Sequence, residues 1–165
     1  GVDRYHLIPC HTLIIWNAPP GHKELESALQ AASPERVILL HPESTPDFPQ
    51  AFLTRLTGLI RYALQTGQTR LELRRLAAAT YQREIVIQLG LKWLAAKGLF
   101  RIEFTSDSEY VIAPHGRPDP VHLAECEEKL KNLLQETKAY RAYYLRADAQ
   151  VLVETAMTAE RKSKE

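Results

Sequence analysis

Residues Thr12–Leu40 read TLIIWNAPPGHKELESALQAASPERVILL, and this stretch decides the first part of the fold. Two apolar, β-branched runs, Thr12–Trp16 and Arg36–Leu40, are typical of short strands buried on both faces. Between them, apolar residues recur at helical spacing, and the two prolines suit a first helical turn, where a missing N–H is not needed. Ser33, followed by proline, would end that helix. We predict a parallel, Rossmann-like strand–helix–strand unit with a right-handed crossover.

The loop NAPPG, residues 17–21, follows the first strand, a position where many enzymes bind a nucleotide phosphate. A Walker loop requires GxxxxGK followed by Ser or Thr, and a dinucleotide turn requires GxGxxG, because their glycines let backbone N–H groups approach phosphate. This loop has one glycine, and its two prolines have no N–H group. We therefore predict a structural role for the loop.

Residues 67–116 have a different pattern. A short helix is expected near Leu73–Ala79, a turn at Thr80-Tyr81, and a longer helix from Gln82 to Ala96, ended by a Lys-Gly pair. Apolar and charged residues then alternate from Phe100 to Phe104, and a second apolar run follows the turn SDS. Helix, turn, helix and β-hairpin is the order of a winged helix.

The predicted fold class is α/β (α+β): a small parallel unit, a winged-helix-like segment and a long C-terminal helical segment. A proline-rich loop is expected at residues 41–49, and an amphipathic helix at Phe52–Leu64. The predicted segments are a small α/β unit with its connecting helix (1–66), the winged-helix-like segment (67–116), C-terminal helices (117–157) and a frayed tail (158–165).

Within the C-terminal helices, apolar residues recur in alternating steps of three and four and form one stripe, which must pack against something. Such a stripe is more often a packed core face than a surface for a partner helix. If it does bind a partner, the residues expected to dock are Leu123, Leu130, Leu133, Tyr140 and Tyr144.

The overall charge is nearly balanced, with 21 basic and 20 acidic residues and a net charge of +1. The summed charge of the chain would therefore not attract nucleic acid or an anionic membrane.

No apolar run approaches the roughly 18 residues that span a bilayer, and the N-terminus lacks the pattern of a signal peptide, so we expect a cytoplasmic protein with no membrane partner. Cys10 and Cys126 are far apart in sequence and lie in no CxxC or His-rich setting, so we expect two buried or idle thiols rather than a disulfide or a metal pair.

The sequence contains no evident catalytic or metal site. The six histidines form none of the patterns HxH, HxD, DHH or HExxH, and a metal-dependent hydrolase needs several carboxylates and histidines on rigid elements. Neither Ser44 nor Ser106 lies in a nucleophile elbow. We therefore expect no catalytic residue, no metal ligand and no cofactor in this chain.

Basic residues outnumber acidic ones locally, by seven to two between Gly67 and Arg101. This excess could neutralise a few phosphates through contacts that orient a nucleic acid without reading its sequence. The helix that would enter a DNA groove is apolar nearly all round from Ile85 to Leu94, which favours packing or protein binding over base recognition. The residues expected to contact nucleic acid, if the segment does so, are Arg70, Arg74, Arg75, Arg83 and Lys92, with Arg101 on the wing.

The order of these motifs resembles the C-terminal region of RecJ-type single-strand-specific DNA exonucleases, which belong to the bacterial DHH phosphoesterases. The resemblance spans roughly Thr12 to Asp148. It is carried by the strand that ends in NAPPG, by ERVILL and the proline-rich loop, and by PQAFLTRLTGLIRYAL, LAAATYQREIVIQLGLKWLAAKGLFRI and ETKAYRAYYLRAD.

This resemblance implies a parent enzyme that degrades single-stranded DNA from the 5′ end during repair and recombination. Its manganese or magnesium site would lie in upstream domains of the same polypeptide, whose Asp-His-His motifs are not found in this sequence. The implied role is a non-catalytic accessory domain that engages single-stranded DNA or recruits a single-strand-binding protein or a helicase, although the sequence has no evident basic and aromatic groove for a single strand. A stand-alone protein-interaction module and a winged-helix DNA-binding regulator remain alternatives.

Overall fold

The computed structural model describes residues 1–40, 47–106 and 108–162, with side chains described as far as residue 157. Helices and two small sheets give an α+β chain, as predicted. The chain forms two compact units, the first made of Gly1–Thr45 with Glu136–Glu165 and the second of Pro46–Gln135. Most of the predicted loop at 41–49 lies outside the described residues.

The first unit begins with strand β1 (Thr12–Ile15), helix α1 (His22–Ala32) and strand β2 (Arg36–Leu39). The two strands pair in parallel, and the helix ends at Ser33, as the sequence predicts. The expectation that the prolines form the first helical turn is wrong. The N-cap is Gly21, so the prolines precede the helix and the free N–H groups of its first turn come from the residues that follow them.

Within the described residues, only one face of the β1–β2 sheet is buried. The side chains that pack into the core of the unit are Leu13, Ile15, Val37 and Leu39. The residues that alternate with them, Ile14, Trp16 and Ile38, are 56%, 65% and 39% exposed, and we call this surface the Trp16 face. The prediction of strands buried on both faces is therefore wrong, because the core of the described unit lies on one side of the sheet only.

The C-terminal helices are α5 (Pro120–Tyr144) and α6 (Ala149–Lys162). Helix α5 contributes to both units, because the division between them falls between Gln135 and Glu136. In the first unit α6 packs on α1, and Tyr144, Leu152 and Ala156 share a core with α1. Since α6 extends to Lys162, it continues into the segment predicted as a frayed tail. Residues 163–165 lie outside the described residues.

The second unit contains an antiparallel sheet and three further helices. Its elements are α2 (Pro49–Gln65), β3 (Arg70–Glu72), α3 (Leu73–Thr80), α4 (Glu84–Ala96), β4 (Phe100–Ser106) and β5 (Glu109–Pro114). The strand order is β3–β5–β4. The sequence interpretation missed β3, which has three residues and pairs through Leu71 with Tyr110, far along the chain. So short a strand leaves no periodic pattern.

Helix α2 packs on α3 and α4 within the second unit. The close approach of α2 to α4 depends on Gly90, where a Cβ atom would lie 2.6 Å from Leu56 Cδ2 and 2.8 Å from Phe52 Cε1. The predicted boundary between residues 66 and 67 therefore separates α2 from the helices that bury its apolar face. In the structure the division between the units falls before α2.

Candidate nucleic-acid interface

Two of the six predicted contact residues lie on one face of the three-stranded sheet. Arg70 of β3 is opposite Val111 of β5, and Val111 is opposite Glu103 of β4. Directly opposite residues share a face, so Arg70 and Glu103 lie in one row across the sheet. Arg101 precedes Glu103 by two residues along β4 and lies on the same face, since side chains alternate with a period of two.

This face is not basic. Arg70 Nη1 is 3.8 Å from Glu109 Oε2, and Arg101 Nε is 3.5 Å from Glu103 Oε1. Glu72 shares the face, so three carboxylates offset two guanidinium groups, and we call this surface the charged sheet face. The local excess of basic residues was calculated for the segment from Gly67 to Arg101. Glu103 and Glu109 lie beyond this segment, and strand pairing brings them beside the two arginines.

The helical part of the predicted interface keeps a cationic surface. Arg74 and Arg75 are exposed at the start of α3, and Lys92 is exposed on α4. Arg74 Nε is 3.7 Å from Glu84 Oε1, a loose pair of exposed groups. In the described ranges Arg75 and Lys92 form no ion pair with a carboxylate.

Arg83 has a structural partner. Its Nη2 donates a hydrogen bond of 2.8 Å to the carbonyl oxygen of Leu133 in α5. At the other end of α4, the backbone N–H of Asp119, just before α5, donates to the carbonyl of Ala96 at 2.7 Å. Residues 119 to 133 therefore run antiparallel to residues 83 to 96. Contacts at both ends of α4 therefore link it to the stretch from Asp119 to Leu133 in the same unit.

Lys92 lies near α5 as well. Burial raises the pKa of the Cys126 thiol on α5, and the positive charges of Lys92 and Lys129 oppose that rise. Cys126, with Leu130 and Leu134, is buried. The helix predicted to enter a DNA groove is thus flanked by a partner helix, and of its predicted contact residues Lys92 is the one with an exposed side chain.

The predicted docking stripe on α5 is used largely inside the fold. Leu130 and Tyr144 are completely buried, whereas Leu123, Leu133 and Tyr140 are partly buried. The spacing missed Leu134 and Arg141, which are buried. The buried positions on α5 are Cys126, Leu130, Leu134, Thr137, Arg141 and Tyr144. Their mean spacing is about 3.6 residues, that of a straight helix, while the predicted stripe followed about 3.5, which drifts around the helix.

The NAPPG loop is anchored by the same helix. Arg141 is only 5% exposed, and its Nε donates to the carbonyl oxygen of Ala18 at 3.1 Å. The ring of Tyr140 meets that of His22, the first residue of α1, edge to face at 6.5 Å. Burial raises the pKa of both Tyr140 and Tyr144, that of Tyr144 to about 12. These contacts support the structural role predicted for the loop.

A basic and aromatic surface that the sequence interpretation missed lies on α2. We call it the α2 face, and its exposed residues are Thr54, Arg55, Gly58, Arg61, Tyr62 and Gln65. The 17 residues of α2 include two arginines and no Asp or Glu. The signal was present in the sequence, but the count of basic residues began at Gly67, after this helix had ended.

In the described part of the chain, no group of three or more His, Cys, Asp or Glu side chains could hold a metal ion. Across the same residues, no helix combines the length and the apolar character needed to cross a membrane. Comparisons of the chain with protein-family models, curated proteins and solved structures gave no significant match. Function therefore has to be inferred from the residues themselves.

Proposed function

We propose that the chain is a non-catalytic accessory domain of a RecJ-type single-strand-specific DNA exonuclease and that it engages the DNA backbone. The order of motifs from Thr12 to Asp148 supports this parentage. In this proposal β1–α1–β2 is a Rossmann-like fragment. The hydrolytic step, with its manganese or magnesium, belongs to other domains of the parent polypeptide.

The observation that carries the DNA-binding part is the order and pairing of elements in the second unit. Helix α3, a turn, helix α4 and the hairpin β4–β5 follow one another, and β3 pairs with β5. We interpret this arrangement as a winged helix, a module that commonly binds nucleic acid. It supports a role in contacting DNA, which the exposed cations of α3 and α4 would perform.

Of the six predicted contact residues, Arg74, Arg75 and Lys92 remain as candidates for binding phosphate. Arg70 and Arg101 share the charged sheet face with three carboxylates, and the guanidinium of Arg83 is bonded to the Leu133 carbonyl. Contacts of exposed cations with phosphate orient a nucleic acid and carry no sequence information.

The contacts between α4 and α5 favour backbone binding over base reading. A groove-reading helix presents several polar side chains to base edges, whereas α4 is tied at both ends to α5 and exposes mainly Ile85 and Lys92. A stand-alone winged-helix regulator would select a duplex motif. Selection on random duplex DNA is therefore expected to return no motif, and an enriched motif would favour the regulator.

A titration of the whole chain with a fluorescent oligo-dT strand at low salt tests the proposal. Binding at tens of micromolar protein or below is expected. Combining Arg75→Ala with Lys92→Ala should weaken it and lower the dependence of log K on log salt by about 1.4, since each phosphate contact on a single strand contributes about 0.7. Lys23→Ala with Arg146→Ala, two exposed positions in the first unit, is the charge-matched control. Absence of binding, or equal effects of both changes, contradicts the proposal.

The Trp16 face favours a second candidate, a protein-recruiting role. Parallel strands are ordinarily covered on both faces, yet Ile14, Trp16 and Ile38 are exposed together. In this alternative the face binds a single-strand-binding protein or a helicase. Calorimetry with those purified proteins should detect binding that Ile14→Asp with Trp16→Asp abolishes and Tyr62→Ala leaves intact. No heat with either protein argues against this candidate.

A further inference from the structure

The α2 face is one continuous stripe with a glycine at its centre. At 3.6 residues per turn, Arg55 and Tyr62 lie on one side of Gly58, and Thr54 and Arg61 lie on the other. All of these residues are exposed. At Gly58 the helix therefore exposes its backbone between two flanks that each carry an arginine.

Among the described residues, no packing contact accounts for Gly58. A Cβ atom at this position would meet nothing within 4 Å, in contrast to Gly90, where it would collide with two side chains. Glycine inside a helix is less favourable than alanine, and here nothing in the described fold compensates for it. Close approach of a ligand to the helix backbone is a reason for the absence of a side chain that the fold itself does not supply.

The charges and aromatic rings around Gly58 fit a polyanion with flat bases. Arg55 Nη2 donates to the Ala79 carbonyl at 2.6 Å, and its guanidinium lies 5.3 Å from the centre of the Tyr81 ring. Unlike the partly buried Arg83, this cation is held in place at an exposed position. Arg61 forms no ion pair with any described residue. Tyr62 is 66% exposed and has a free ring surface on which a base can stack.

We infer that the α2 face is a binding site for single-stranded nucleic acid, in which the phosphate backbone crosses Gly58 between Arg55 and Arg61 and one base stacks on Tyr62. The inference rests on the proposed DNA-binding function and names a site for it outside the winged-helix interpretation. The stacked base must be unpaired, so the site discriminates against duplex.

Substitutions at Gly58 provide the sharpest test, because fold and site respond in opposite directions. Gly58→Ala and Gly58→Gln should raise Tm by about 2–4 °C through better helix propensity and should weaken oligo-dT binding at least about threefold by blocking close approach. Ser27→Ala, at an exposed position in α1, is the control that raises helix propensity without touching the site. Unchanged affinity in both Gly58 variants overturns the inference.

Arg61→Ala and Tyr62→Ala should each weaken oligo-dT binding about fivefold or more, while Tyr62→Phe retains the stacking ring and most of the affinity. An abasic strand should bind the native chain less tightly and should not distinguish Tyr62→Ala from it. Arg146→Ala controls for the loss of one positive charge.

The outcomes separate this inference from the proposed function. If no oligonucleotide binds the native chain, both fail. If Arg75→Ala with Lys92→Ala weakens binding while every α2 variant binds normally, the accessory DNA-binding role survives and the α2 site is excluded. Displacement of oligo-dT by polyglutamate at equal charge concentration would identify an acidic polypeptide as the occupant and would also overturn the inference.

Discussion

The Nε atom of Arg141 lies 3.1 Å from the carbonyl oxygen of Ala18, although 123 positions separate the two residues in the chain. This bond joins helix α5 to the loop that follows β1. Arg141→Ala removes a nearly buried side chain and its charge-assisted hydrogen bond, so the free energy of unfolding should fall by about 2–3 kcal/mol in urea denaturation. Arg146→Ala removes an exposed arginine and should change it by less than about 0.5 kcal/mol. Equal stabilities for the two variants would show that the loop needs no anchor.

The close contact of α2 with α4 makes Gly90 intolerant of a side chain. In Gly90→Ala the new methyl group would overlap Leu56 and Phe52, and overpacking of this kind costs about 1–3 kcal/mol. Thermal unfolding should show a lower Tm for Gly90→Ala and a higher one for Gly58→Ala, because the same chemical change meets a packed core at one site and open space at the other. A Gly90→Ala protein as stable as the native chain would contradict the described helix packing.

The buried tyrosines predict a loss of stability in alkali. The pKa of Tyr144 is about 12 in the folded chain against an ordinary value of 10, because burial disfavours the phenolate. The neutral phenol of Tyr144 therefore contributes about 2–3 kcal/mol to the free energy of unfolding. This contribution is complete below pH 10 and is lost as the pH rises to 12. Burial shifts the pKa of Tyr140 in the same direction.

Replacing both residues with Phe tests this expectation. The stability of the double variant should decline less steeply between pH 10 and pH 12 in circular dichroism, while Tyr143→Phe, at an exposed position, should decline as the native chain does. Identical slopes for the three proteins would place the source of alkaline unfolding elsewhere.

Acidic residues on the charged sheet face should reduce the attraction of the second unit for DNA. Glu103→Gln with Glu109→Gln releases Arg101 and Arg70 from their ion pairs and should tighten low-salt oligo-dT binding by about three- to tenfold, with a steeper salt dependence. Stability should change by less than about 1 kcal/mol, since exposed ion pairs are weak. Glu154→Gln in the first unit is the control. Equal affinity of the native chain, the double variant and the control would show that the charged sheet face has no effect on DNA binding.

The sequence predicted most elements whose signal is local. The two apolar runs, the helix between them and the hairpin strands β4 and β5 were found because each has its own periodicity or turn residues. The pairing of β3 with β5 was missed, because no local pattern in a three-residue strand reports a partner so distant in the chain.

The candidate site was less predictable, because its charge depends on which residues the fold brings together. The sequence predicts Arg101 as a phosphate contact, but strand pairing places Glu103 and Glu109 on the same face. Arg83 counted as another, but the Leu133 carbonyl lies within reach of its guanidinium. The exposed arginines of α2, Arg55 and Arg61, lie before the basic segment that begins at Gly67. Burial on only one side of the β1–β2 sheet could not be inferred either. A strand of consecutive apolar residues has the same sequence pattern whether one face or both faces of the sheet are covered.

The division of the chain into units has a consequence for its biosynthesis. The first unit is discontinuous, and its core needs Tyr144, Leu152 and Ala156, which leave the ribosome after the whole second unit. At 5–20 residues per second, roughly 5–30 s pass between synthesis of the strands TLIIW and RVILL and synthesis of these partners. During that interval the nascent chain exposes two short segments prone to aggregation, so its yield in the cell should depend on chaperones that shield the first 40 residues during translation.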